Sequence, residues 1–89
     1  MRVTGDSMID AGILDNDIVI VDKSVKAEDS NIIIAALNGE FTIKELRLKP
    51  LSLIPHNKTM TPFVIRDTDN FEIFGVVTGL VRNLSRAGR

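Results

Sequence analysis

A mainly β fold is predicted by three features of the sequence. Short β-branched runs recur, turn residues separate them, and a helical apolar period is almost absent. The first patterned stretch, Ser7 to Ile13, has room for one or two helical turns, with Asp6 or Ser7 as N-cap. Asp15-Asn16-Asp17 then introduces the apolar run Ile18–Val21, which is too short for a helix and predicts a buried strand. Asp29-Ser30-Asn31 breaks the chain before a strand over Ile32–Leu37. Asn38-Gly39 follows, and both positions tolerate the positive φ of a type I′ turn, so a hairpin returns along Glu40–Leu48 until Pro50 ends it. Shorter strands are predicted at Leu51–Ile54 and Phe63–Ile65, divided by Pro55-His56-Asn57 and Pro62. After the turn cluster Asp67 to Asn70, a long strand Phe71–Leu84 carries Gly75 and Gly79 as bulge or bend points.

Composition narrows the function classes. Eighty-nine residues allow one domain, assigned to 1–82, with 83–89 as a basic flexible tail. A chain of this size hides only about 60–65% of its unfolded surface, so the core is thin. Eleven Lys/Arg against twelve Asp/Glu leave a net charge of −1, which supplies no domain-wide field for nucleic acid. The absence of cysteine excludes a disulfide scaffold, thiolate catalysis and cysteine-based zinc sites. His56 is the single histidine and gives no multi-histidine metal site. No apolar run approaches the roughly 18 residues of a membrane span, and no signal-peptide pattern opens the chain. The expectation is a cytoplasmic domain with no cofactor, no metal and no membrane association.

A hydrolase built from these residues would use a hydroxyl nucleophile and a lysine or carboxylate base. A lysine base must be neutral, so its pKa must fall from about 10.4 toward 7–8, which takes roughly 4 kcal/mol of desolvation. Lys44 is the best placed. Strand alternation puts Thr42, Lys44, Leu46 and Leu48 on one face, with no carboxylate beside Lys44 on that face. Lys23, Lys26, Lys49 and Lys58 lie in turns or beside prolines, where water holds their charge. Ser7, after Gly5 at a sharp turn, is the matching hydroxyl, and backbone N–H groups there could form an oxyanion pocket. On these residues alone a snorkelling surface lysine and an N-cap serine remain open readings.

The runs Val3–Ile13 (with Gly5-Asp6-Ser7-Met8), Asp17–Asp22 and Asn38–Lys44 together resemble the S24 family of self-cleaving Ser-Lys peptidases. That family includes LexA, lambda-type phage repressors and the mutagenesis protein UmuD. Leu53-Ile54-Pro55-His56-Asn57 and Phe71–Val77 extend the resemblance from about Val3 to Val81, and the LIP-x-N segment looks most like the UmuD branch. Asn16 and Ser30-Asn31 stand where the family often has Gly-Asp; Asn16 can keep a left-handed turn, and Ser30 is the less certain of the two.

The resemblance implies a LexA/UmuD-like peptidase domain in which Ser7 is the nucleophile and Lys44 the general base. It places the Asp6 and Ser7 N–H groups on the oxyanion and Met8 beside the cleft. It also implies a homodimer, the long final strand offering an unpaired edge. A RecA–DNA filament would act as activator and a UmuC-like Y-family DNA polymerase as partner, with no sequence-specific DNA binding by this chain. The first reading is thus a translesion polymerase accessory subunit; the alternative is the self-cleavage domain of a LexA- or phage-type repressor. The family's scissile Ala-Gly or Cys-Gly bond does not precede Ser7 here, so the chain reads as the catalytic body without its substrate arm.

Overall fold

The computed structural model describes residues 1–84. A single 3-10 turn, Ile9–Ala11, precedes six strands: β1 (Ile18–Asp22), β2 (Ile32–Leu37), β3 (Glu40–Leu48), β4 (Leu51–Ile54), β5 (Phe63–Val64) and β6 (Phe71–Val81). They form one antiparallel sheet in the order β1-β6-β2-β3-β4-β5. The fold is mainly β, as the short β-branched runs predict.

The β2–β3 hairpin is the backbone of the molecule. Asn38 and Gly39 have φ of 50° and 90°, the pair of positive values a type I′ turn requires, and Leu37 pairs with Glu40 across it. Of β3, only the second half, Glu45 to Leu48, pairs with β4. The first half of β3 is therefore free of β4, and that is where Lys44 sits.

Both glycines of β6 mark bulges. Ile20 faces Gly79 but Val21 faces Val77, so Thr78 is the extra residue; Ile34 faces Gly75 but Ala35 faces Ile73, so Phe74 is the other. Gly75 also allows a close approach, since a Cβ there would lie 2.5 Å from Val21 Cγ1.

The sheet buries side chains on both faces. Val3, Met8, Ile13, Val19, Ile34 and Ile43 form one cluster; Ile33, Ala35, Leu46, Leu53 and Val76 form the other. Consecutive residues Ile33 and Ile34 fall in different clusters because strand side chains alternate. Burying each of the Val, Ile, Leu or Met side chains contributes about 1.5–3 kcal/mol.

Three expectations change. β1 is buried on one face only: Val19 is buried, while Ile18 and Ile20 are 37% and 51% exposed, because β1 lies at the outside of the sheet. The long last strand ends at Val81 and lies between β1 and β2, so it is no edge; its bulges let it pair with both neighbours. The turn near Ser7 is a 3-10 turn with Met8 at its N-cap, and no side chain caps it. Arg82, the last residue of the predicted domain, is anchored by its side chain. Its guanidinium donates two 2.7 Å bonds to the buried Asp17 carboxylate and one of 2.8 Å to the Gly12 carbonyl. Residues 85–89 of the expected tail lie outside the described residues. Asn16 and Ser30 both adopt φ of 74°, so each keeps the left-handed turn without glycine.

Candidate active site

The segment carrying Ser7 is irregular, and bonds from distant residues hold it. Gly5 has φ of 86°, a conformation glycine adopts without strain, and its N–H donates to Asp15 Oδ1 at 2.7 Å. The Asp6 carbonyl accepts from Asn57 Nδ2 at 2.9 Å. The Ser7 carbonyl accepts from the His56 N–H at 2.8 Å, and the His56 carbonyl accepts from the Asp10 N–H at 2.7 Å. Beyond the turn, the Gly12 carbonyl is the one held by Arg82.

Lys44 is placed by the ladder instead. It faces Ile33 across the hairpin and shares its sheet face with Leu46 and Thr42. Its ammonium donates to Thr42 Oγ1 at 2.6 Å and to Ser7 Oγ at 3.0 Å. Among the described residues no ion pair reaches it. Burial among apolar neighbours pushes its pKa below the ordinary 10.5, because desolvation disfavours the charged form.

The two side chains meet at a cleft of about 370 Å³, walled by the Thr4–Ser7 turn on one side and Thr42 and Lys44 on the other. Phe41 and Met60 add apolar surface. A smaller hollow of about 230 Å³, bordered by Leu37, Leu53 and Phe63, touches Thr42 and Lys44 as well. A hydroxyl in reach of an amine that burial drives toward neutrality can lose its proton to it, the requirement for a hydroxyl nucleophile. Among the described residues, no group of three or more His, Cys, Asp or Glu could hold a metal, and no helix is long and apolar enough to cross a membrane.

The structure brings Ser7 and Lys44 together. The Asp6 and Ser7 N–H groups donate to no acceptor among the described residues. Met8 is placed differently from the expectation: it is 1% exposed and packs in the core with Val3 and Ile13, not among the residues lining the cleft. Its side chain follows the apolar pull of the sheet face behind the turn. Two contributors escaped the sequence. Strand parity puts Thr42 on the face of Lys44, and a hydroxyl two residues away on that face is within reach. The Pro55-His56-Asn57 loop reads in the sequence as a strand break and as part of the family resemblance, with no part in the site.

Comparison with protein families matches residues 1–78 to the family described as Peptidase S24-like. The chain belongs to that family. Curated relatives of this S24 chain include the LexA repressor of Syntrophotalea carbinolica, 45% identical over 98% of the chain and 44% of that protein. LexA repressor 2 of Pseudomonas syringae pv. tomato is 45% identical over 92% of the chain and 42% of its own length. The LexA repressor of Clostridioides difficile is 45% identical over 92% and 40%. The chain thus spans less than half the length of these relatives. Their names favour the repressor alternative over the polymerase-accessory reading that the sequence resemblance put first.

Proposed function

We propose that this S24 domain is the self-cleaving half of a LexA-type repressor, with Ser7 as nucleophile and Lys44 as general base. The observation that carries it is the 3.0 Å contact between Ser7 Oγ and the Nζ of a half-buried lysine with no ion-pair partner among the described residues. The repressor assignment is supported by the relatives' names; nothing in the structure favours a polymerase accessory role.

In this mechanism the neutral Lys44 amine takes the Ser7 Oγ proton as Oγ attacks the scissile carbonyl carbon. The negative charge that develops on the carbonyl oxygen is met by the N–H groups of Asp6 and Ser7. Collapse breaks the C–N bond, and the Lys44 ammonium gives its proton to the departing amine. Water then attacks the Ser7 ester carbonyl as Lys44 accepts its proton; collapse breaks the C–Oγ bond and Lys44 returns that proton to Ser7 Oγ, which restores both side chains. Thr42 Oγ1 holds Nζ at the right height throughout. Homodimerisation and activation by a RecA–DNA filament accompany this reading through the family resemblance.

The test is cleavage in trans of a peptide bearing an Ala-Gly bond, followed by mass spectrometry. The unsubstituted chain should cut it and Ser7→Ala should not; equal cleavage by both overturns the peptidase reading. A helix-turn-helix coding segment in the same reading frame would support the repressor assignment, and an adjoining Y-family polymerase gene would contradict it.

A further inference from the structure

The peptide units on either side of the Ser7 Cα are both pinned by one loop. We infer that Asn57 is a positioning residue that aims the Ser7 N–H into the cleft, an assignment that rests on the peptidase reading of Ser7. In a planar trans peptide the carbonyl of one residue and the N–H of the next point in opposite directions. The Asp6 carbonyl accepts from Asn57 Nδ2 at 2.9 Å and, more weakly, from the Ile9 N–H at 3.2 Å, so the shorter Asn57 bond is the main long-range restraint on where the Ser7 N–H points. That N–H has no acceptor among the described residues and is left for a ligand. His56, the adjacent residue, fixes the following peptide through its main-chain N–H to the Ser7 carbonyl at 2.8 Å.

An amide side chain is required at position 57. Its Oδ1 accepts from the Thr59 N–H at 2.9 Å and from Thr59 Oγ1 at 2.8 Å, which fixes which end of the amide is which. Nδ2 is then turned toward Asp6. A carboxylate would keep both Thr59 bonds yet oppose an oxygen to the Asp6 carbonyl. The loop is also tied to the strand that carries the base: His56 Nε2 lies 2.6 Å from Glu45 Oε1, next in sequence to Lys44. One short loop thus registers the serine turn against β3. Asn57 is only partly buried, so its replacement opens no core cavity.

The experiment compares Asn57→Asp and Asn57→Ala with the unsubstituted chain in the trans-cleavage assay, with thermal melting alongside. Loss of an oxyanion donor costs about 100- to 1,000-fold in kcat, and a misaimed donor should cost about 10- to 100-fold. Both variants should lose kcat by that amount with KM within about twofold and melting little changed; the near-isosteric Asp variant should be as impaired as Ala. Unsubstituted kcat in either variant, or a loss carried by KM or by melting, overturns the assignment of Asn57. Absence of Ser7-dependent cleavage in the unsubstituted chain overturns the peptidase reading itself, and the assignment with it.

Discussion

The two halves of the site are held in different ways. Lys44 belongs to a hydrogen-bonded hairpin whose two strands and turn are specified by neighbouring residues, and its environment is the apolar face of the sheet. Ser7 sits in a turn with almost no secondary structure of its own, held by Asp15 and by the His56-Asn57 loop from two other places in the chain. A base needs a desolvating wall, which a strand face provides. A nucleophile needs exposed N–H groups and an accessible hydroxyl, which regular structure would consume.

The sharpest way to break this comparison is Lys44→Met. Cleavage should fall by about 10⁴-fold or more, as when a member of a hydrolytic unit is removed. Stability should move the other way. Lys44 has a folded pKa below its unfolded one, so the folded state disfavours its charge and loses stability at neutral pH; an apolar side chain removes that cost. A lower melting temperature for Lys44→Met would contradict the account of its burial.

Thr42→Val tests the lysine's other hydrogen-bond partner among the described residues. Losing a hydrogen bond to a charged group costs about 1.5–3 kcal/mol, or roughly 10- to 100-fold in kcat. Because Thr42 accepts from the protonated amine, its loss should also shift the pH–rate midpoint downward. An unmoved profile with full activity would remove Thr42 from the site.

On the turn side, the Asp17–Arg82 pair closes the segment that begins at Ser7. The Arg82 guanidinium and the Leu14 N–H hold the Asp17 carboxyl at about 2, below its ordinary 3.8. A carboxyl with a lowered folded pKa adds stability that is present above 3.8 and lost as pH falls through about 2. Asp17→Asn should flatten acid unfolding in that window and loosen the Gly12 end of the turn, measured by hydrogen exchange. The smallest effect is expected far from the site: Ser30→Gly should stabilise by about 1 kcal/mol, since serine is strained at φ of 74°. Destabilisation there would show that the Ser30 side chain contributes more than its strain costs.

The hairpin was legible to the residue. β2, β3 and β4 run over Ile32–Leu37, Glu40–Leu48 and Leu51–Ile54, because β-branched runs, Asn-Gly and proline are all local signals. What local signals do not carry is neighbourhood in the sheet. Phe71–Leu84 reads as a long strand, but nothing in it says that it ends at Val81 or that β1 and β2 flank it. The same limit applies to the site. Parity placed Lys44 on an apolar face, whereas its distance from Ser7 depends on the turn packing against the 56–57 loop. The family resemblance implies Met8 beside the cleft, whereas its side chain packs in the core cluster beneath the turn.

The central claim is that burial makes Lys44 the base for Ser7. The pH dependence of trans cleavage between pH 6 and 11 tests it most directly. The account predicts a single rise with a midpoint below the ordinary lysine value of 10.5, absent in Lys44→Ala. A flat profile, or cleavage that persists in Lys44→Ala, would contradict it.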